Sequence, residues 1–315
     1  MIKCLVTGAN GFIGNALVQY LVATNKYQVF AMTRVSAPSK IKDVTYFEAG
    51  DISCQNFDIA LLKDIEVVVH TAARVHVMRD ASRRPLDEFR RVNVNGTLAL
   101  ASACAKAGVK RFIYLSSIGV NGLETSLDSF FSEDDVPTPH NDYALSKYEA
   151  EIGLKEISNI TQLEVVIIRP PLVYAANAPG NFSALLRLIR LRVPLPLDGI
   201  HNKRSLISLD NLIDFLNLCI WHPKAGNEIF LVSDGHDLST TELCHDLASA
   251  ANIPVRIFYL PLWIFMYPIN IFGFKKRLNG LFGNLRIDSS KAHQILGWST
   301  PFSFRSSYKN SAKEL

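Results

Sequence analysis

The chain has 315 residues, 48% hydrophobic and 20% charged, an ordinary globular composition long enough for a large core and one or two domains. A net charge of +4 with both signs interspersed is too mild to point to nucleic acid and suits an anionic small ligand. The five cysteines (Cys4, Cys54, Cys104, Cys219 and Cys244) are dispersed with no Cys-x-x-Cys pair, which fits buried thiols in a reducing, cytoplasmic compartment. Met1 leads straight into an apolar run, leaving no room for a signal peptide. The most apolar stretch, Leu260 to Phe274, contains Pro261 and Pro268 and is too short to span a bilayer. It reads as a core or lid helix, with a membrane-surface or partner contact as the alternative.

Strand and helix patterns alternate through the first half. Met1 to Val6 reads as a buried strand and Phe12 to Val22 as an amphipathic helix. Further strands are expected at Gln28–Thr33, Val44–Glu48, Val67–His70, Phe112–Leu115 and Glu164–Ile168, with helices over Asp87–Ala107 and Tyr143–Ile157. Such alternation implies right-handed crossovers and a parallel sheet covered on both faces. The second half is less regular. Phe182–Leu191, Asp210–Trp221, Ser239–Ala250 and Ser289–Leu296 look helical, and Ile229–Val232 looks like one more buried strand. Pro170-Pro171 marks the expected switch between domains. Residues 1–170 then form a dinucleotide-binding domain, joined by the strand near 229–232, and 171–315 a smaller C-terminal α/β domain for substrate.

The run Val6-Thr7-Gly8-Ala9-Asn10-Gly11-Phe12-Ile13-Gly14 lies between the first strand and the first helix. Strand, glycine-rich turn and helix begin a Rossmann-type, doubly wound dinucleotide-binding fold. One glycine permits the tight turn, one lets backbone approach a pyrophosphate, and Gly14 lets helix pack on strand. The helix start offers free N–H groups to the phosphates. At the end of the second strand, an acid would read the ribose hydroxyls of NAD. The run is instead Met32-Thr33-Arg34-Val35-Ser36. An arginine suits a 2′-phosphate, so NADP(H) is favoured and NAD(H) kept as the alternative. Asp51-Ile52, after the third strand, is a candidate for the adenine. Small residues in His70-Thr71-Ala72-Ala73 let a cofactor lie against backbone. His70 and His76 lack a third ligand nearby in sequence, and no metal is expected.

Tyr143 and Lys147 are spaced i, i+4 and share one helix face. A tyrosine titrates near ~10 and is a poor base at neutral pH. An ammonium at about 4 Å and an effective dielectric near 20 favours the phenolate by roughly 4 kcal/mol before desolvation. A serine of the pair Ser116-Ser117, at the end of the fifth strand, could hydrogen-bond the reacting oxygen.

With these motifs in this order, the sequence resembles the extended short-chain dehydrogenase/reductases, in their nucleotide-sugar epimerase/dehydratase branch. Its marks are Thr7-Gly8-x-x-Gly11-x-x-Gly14, Asp51-Ile52, His70-Thr71-Ala72-Ala73, Asn93-Val94-Asn95-Gly96-Thr97, Leu115-Ser116-Ser117, Tyr143-x-x-x-Lys147 and Arg169-Pro170-Pro171-Leu172-Val173-Tyr174. The resemblance implies that Tyr143 exchanges the proton, Lys147 orients the ribose and lowers the phenol pKa, and Ser117 contacts the sugar oxygen. It implies that Asn93 fixes the active-site helix and that Pro170, Leu172 and Val173 border the nicotinamide, with Ser116 also on the cofactor side. Two positions depart from the family: Asn121 stands where a tyrosine is usual, and Ala175 where a glycine is usual. Asn181 and Arg204 resemble diphosphate-binding residues, Arg277 is a second clamp by position, and His76 is placed with the substrate. Arginine's fork suits phosphate oxygens.

The runs Arg74-Val75-His76-Val77-Met78 and Leu231-Val232-Ser233-Asp234-Gly235 look like bacterial enzymes that reduce a UDP-2-acetamido-2,6-dideoxy-4-hexulose for surface polysaccharide. The first expectation is therefore an NADPH-dependent 4-keto reductase of a UDP-sugar. The alternative is a UDP-hexose 4-epimerase, acting on UDP-GlcNAc or UDP-glucose with tightly held NAD. A non-catalytic dinucleotide-binding protein is the third reading. A homodimer through the Asp87–Ala107 and Tyr143–Ile157 helices is a family-level expectation.

Overall fold

A computed structural model describes residues 1–35, 40–53, 57, 59–75, 84–260 and 282–312. His76, Arg277, Cys54 and the 261–274 part of the apolar stretch lie outside the described residues. So does the side chain of Asn181.

The central sheet has seven strands in the order β10-β6-β5-β4-β1-β2-β3, and every neighbouring pair runs parallel. The strands are β1 (Ile2–Thr7), β2 (Tyr27–Thr33), β3 (Val44–Glu48), β4 (Val67–His70), β5 (Arg111–Leu115), β6 (Glu164–Arg169) and β10 (Ile229–Leu231). Order reverses at β1, with β2 on one side and β4 on the other, so a crevice opens where Thr7 meets Met32 and His70. That is the switch point where this class of sheet binds its ligands.

Alternation along β1 explains the two layers of core. Cys4 and Val6 face one side, with Leu17 and Leu21 of α1 (Phe12–Ala23) and Leu212 and Phe215 of α6 (Leu209–Trp221). Leu5 faces the other, with Leu100 and Cys104 of α3 (Thr97–Ala107) and Ala150 and Leu154 of α4 (Asp142–Ile160). β4 and β5 are buried throughout, hence their continuous apolar runs.

A smaller core collects Phe182, Leu186 and Ile189 of α5 (Asn181–Arg190) with Leu195 and Leu197 of β8 (Leu195–Asp198). Cys244 and Leu247 of α7 (Thr240–Ala250) complete it. Phe12 packs against both this core and the first, so the glycine turn is anchored to both units. Short strands here were not expected from the sequence: β7 (Leu172–Tyr174), β8, β9 (Arg204–Ser208), β11 (Asp237–Leu238) and β12 (Ile257–Tyr259). β7, β11 and β12, of only two or three residues, are too short to display a two-residue period. The helix Phe304–Ala312 was also unanticipated, because its sequence is mostly polar.

The single helix expected over Asp87–Ala107 differs in detail. It comprises α2 (Pro85–Phe89), a π-helical segment Arg90–Gly96, and α3. Such bulges recur at functional sites, and a 3.6-residue pattern does not reveal them. Among the described residues no helix is long and apolar enough to cross a membrane, and no group of three His, Cys, Asp or Glu could hold a metal.

Candidate active site

The glycine turn is built by packing. Gly8 has φ +68°, and a Cβ there would lie 2.7 Å from the backbone nitrogen of Ala72. A Cβ on Gly14 would strike the Gly8 carbonyl and lie 2.7 Å from Thr71 Oγ1. The Gly11 N–H donates to the Gly8 carbonyl at 2.8 Å, closing the turn. Thr71 Oγ1 donates to the Thr7 carbonyl at 2.7 Å, tying the loop after β4 to the end of β1. Gly11, the N-cap of α1, makes no side-chain cap hydrogen bond, so no side chain of that residue occupies the first N–H groups of the helix. Asn10 is exposed, its amide 3.5 Å from the Val35 carbonyl, and Ile13 packs on the first core.

Arg34 is exposed at the end of β2. Asp51 accepts from Arg91 Nη1 at 2.8 Å and from the Ser53 backbone at 3.0 Å. The guanidinium first, then the backbone donor, hold its carboxyl down to about 2. Ile52 lies against Gly96, whose Cβ would be 3.0 Å from the Ile52 carbonyl. Arg91 and Gly96 both belong to the π-helical segment, so that segment braces the Asp51-Ile52 loop.

Asn93, in the same segment, is buried. Its amide donates to the Arg74 carbonyl at 3.1 Å and to Ser146 Oγ at 3.0 Å, and its oxygen accepts from the Arg74 N–H at 2.8 Å. It thus joins the loop that carries Thr71, Ala72 and Ala73 to α4. His70 is fully buried between two threonines: Nδ1 is 2.7 Å from Thr7 Oγ1 and Nε2 is 3.0 Å from Thr97 Oγ1. Burial, aided by Lys147, pushes its pKa down to about 3, so it is a neutral crosslink.

α4 carries the acid–base candidates. Asn141 caps it, accepting from the Ala144 N–H at 2.8 Å. Tyr143 and Lys147 follow one turn apart, with Lys147 Nζ 5.9 Å from the Tyr143 ring centroid. Lys147 Nζ donates to the Leu115 carbonyl at 2.8 Å and lies 4.5 Å over the Tyr114 ring. Desolvation pushes the Tyr143 phenol up to about 12. The same cause, opposed by Glu151, brings the Lys147 amine down to about 7. Ser117 is half-buried beyond the end of β5, its hydroxyl accepting from the Gly119 N–H at 3.1 Å. Among the described residues its own proton has no acceptor, which leaves it available to a ligand oxygen.

Ser116 differs from its neighbour. Its hydroxyl donates to Glu151 at 2.5 Å, so its side chain is committed to the protein. Pro170 is buried and accepts from the Ile118 N–H at 3.0 Å. Leu172 is exposed and Val173 half-buried on β7, which pairs with β9. Arg204 begins β9, half-buried, with Nη1 2.9 Å from the Gly283 carbonyl. Desolvation lowers its pKa against the pull of Glu124. Asn181 begins α5. Asn121 accepts from Arg169 Nη1 at 2.9 Å and donates to the Ser132 carbonyl at 2.7 Å, so its departure from the family pattern serves a buried network. Ala175 is buried in the first core.

The sequence reading missed Glu151, Arg169 and Arg91 as parts of this site. A signal existed for Glu151: it follows Lys147 by four residues, on the face already marked by Tyr143. Arg91 had none, because the π segment shifts the face it occupies.

Residues 4–233 match the family profile described as the NAD dependent epimerase/dehydratase family. A UDP-glucose 4-epimerase from Vibrio cholerae is 42% identical over 310 residues, covering 98% of this chain and 94% of the relative. A UDP-glucose 4-epimerase from Mycolicibacterium smegmatis is 30% identical over 312 residues, covering 94% and 93%. The crystal structure of a UDP-glucuronic acid 4-epimerase from Bacillus cereus in complex with NAD superposes with a TM-score of 0.78 at 22% identity, covering 99% and 96%. That likeness is one of fold. The profile match over most of the chain, the parallel sheet with its glycine turn, and the level of identity to the first relative agree: this protein is a member of the NAD dependent epimerase/dehydratase family.

Proposed function

We propose that the protein is a UDP-hexose 4-epimerase with tightly held NAD, and that UDP-glucose and UDP-galactose are its first substrates to try. The observation that carries this reading is the 42% identity to a UDP-glucose 4-epimerase across 98% of the chain. That likeness favours the epimerase over the 4-keto reductase. A homodimer through the helical stretches Asp87–Ala107 and Tyr143–Ile157 stays part of the proposal, supported by the exposed Ile152 on α4.

The residues at the switch point fit a dinucleotide. Gly8, Asn10, Gly11, Phe12, Ile13 and Gly14 form a turn for the pyrophosphate, with first helix N–H groups that no Gly11 side chain occupies. Asp51 and Ile52 serve the adenine, and Thr71, Ala72 and Ala73 lie across the crevice. Asn93, Ser116, Pro170, Leu172 and Val173 border the nicotinamide side. NAD replaces NADP(H) as the cofactor of choice, because an epimerase needs no exchangeable reductant and the family is NAD dependent. Arg34 is then a surface charge beside the ribose. When bound, the nicotinamide supplies a reversible hydride acceptor for the sugar carbon.

Tyr143 takes the proton of the C4 hydroxyl as that carbon loses its hydride, and returns it when the hydride comes back. Its phenol starts high, at about 12. The Lys147 ammonium and the cationic ring of an oxidised cofactor both favour its ionised form. Ser117 hydrogen-bonds the same sugar oxygen. With hydride supplied back by a bound nicotinamide to either face of a planar C4, and Tyr143 returning the proton to its oxygen, return to the opposite face would invert that carbon. Arg204 faces the diphosphate, with Asn181 at the start of α5; Arg277, by its position in the sequence, and His76 keep their proposed substrate roles.

Purified protein incubated with UDP-glucose, UDP-galactose and their N-acetyl counterparts tests this reading. The expected result is interconversion of a 4-epimeric pair with no nucleotide added, and NAD released on denaturation. Turnover of a 4-keto sugar that consumes added NADPH, with no epimerisation, would restore the reductase.

A further inference from the structure

We propose that the buried Glu151–Arg169 pair is a positioning unit for Lys147, holding the amine and the end of β5 in register; the inference rests on the acid–base role given above. Both side chains are only 2% exposed. Arg169 Nη2 and Nε donate to the two Glu151 oxygens at 2.6 and 3.0 Å. Ser116 Oγ donates to Glu151 at 2.5 Å, while the Ser116 N–H donates to the Ile168 carbonyl at 2.8 Å. Arg169 Nη1 donates onward to Asn121 at 2.9 Å.

This network grips Ser116 from two sides. The residue before it presents the carbonyl that receives Lys147 Nζ, and the residue after it is Ser117. Tyr143, Lys147 and Glu151 lie on one face of α4 at successive turns. One buried pair therefore fixes the serine, the lysine and, through the helix, the tyrosine. Burying an ion pair is costly, and replacing one by a hydrophobic pair of similar volume is often neutral or stabilising, so stability alone is a weak account of this pair.

The charge also acts on Lys147. The titratable groups facing the amine are Tyr143 on α4, the Tyr114 ring of β5, the neutral His70 of β4, and Glu151 on α4, with Arg169 of β6 behind it. Glu151 is the carboxylate that opposes desolvation of the amine. Removing its charge lowers the pH at which the ammonium loses its proton. The ammonium form exists below that midpoint, so activity that needs it fades at lower pH as alkali is added.

The test uses Glu151→Gln, the double variant Glu151→Leu/Arg169→Met, and Glu151→Asp. Two readouts are taken: the alkaline limb of kcat for 4-epimerisation, and the Lys147 Nζ titration in protein labelled with 15N at lysine Nζ, assigned by loss of its signal in Lys147→Met. Both midpoints are expected to fall by about one pH unit in the two neutral variants, more in Glu151→Gln because Arg169 remains, and to return towards wild type in Glu151→Asp. A folded double variant with wild-type midpoints would overturn the proposal. Failure of both neutral variants to fold would also overturn it and assign the pair to the fold alone. If the wild type does not epimerise, the functional reading fails by itself, and the nitrogen titration still decides the positioning claim.

Discussion

Tyr143→Phe is expected to cut kcat about a thousandfold, a loss of roughly 4 kcal/mol of transition-state stabilisation. The fold and the NAD affinity are expected to stay close to wild type. The substitution removes one oxygen and keeps the ring, which packs edge-on against Phe89 at 6.1 Å between centroids. Lys147 keeps its bond to the Leu115 carbonyl, because that bond does not involve the phenol. Steady-state rates, thermal melts and NAD titration of the variant separate the three quantities. Wild-type turnover in a folded Tyr143→Phe protein would remove the phenol from the chemistry and leave only the architecture.

The second large effect belongs to the glycine turn. Gly14→Ala should lower the melting temperature by several degrees and weaken NAD binding at least tenfold. The added methyl would press on the Gly8 carbonyl and stand 2.7 Å from Thr71 Oγ1. Relief requires moving the turn and the loop after β4, at a typical overpacking cost of about 1–3 kcal/mol. These are the segments that line the crevice, so strain and lost binding arise together. Gly50→Ala is the control. That glycine has φ +64° but nothing within 4 Å of a new Cβ, so its cost is backbone strain alone. A Gly14→Ala protein that melts and binds like Gly50→Ala would refute the close-packing argument.

Several features were legible before any coordinates. The continuous apolar run Val67-Val68-Val69 marked a strand buried on both faces, and the structure has β4 at Val67–His70. The spacing of Gly8, Gly11 and Gly14 located the turn because packing there tolerates no Cβ at Gly8 or Gly14. Tyr143 and Lys147 were legible as a pair because a straight helix preserves the i, i+4 relation.

What stayed hidden depends on contacts distant in sequence. Glu151 and Arg169 meet only because α4 packs near the ends of β5 and β6. The ranking of reductase over epimerase leaned on two short runs. One of them, Leu231 to Gly235, is largely engaged in holding the fold. The Leu231 N–H donates to Glu133 at 2.7 Å, and Asp234 accepts from the Tyr174 hydroxyl at 2.6 Å and the Asn211 amide at 2.7 Å. Residues occupied in this way say little about which sugar is bound. The other run, Arg74 to Met78, lies mostly outside the described residues. Arg34 carries little weight for a related reason: an exposed cation at a strand end does not by itself show what it faces.

The most direct measurement follows the hydrogen on C4. Wild-type protein is mixed with UDP-galactose in D2O, with no nucleotide added, and the sugar protons are followed by NMR to equilibrium. The account predicts that UDP-glucose appears with protium retained at C4, because the hydride is lent and returned within one site while only the hydroxyl proton passes through Tyr143. Deuterium at C4, or no conversion by folded protein retaining NAD, would contradict it.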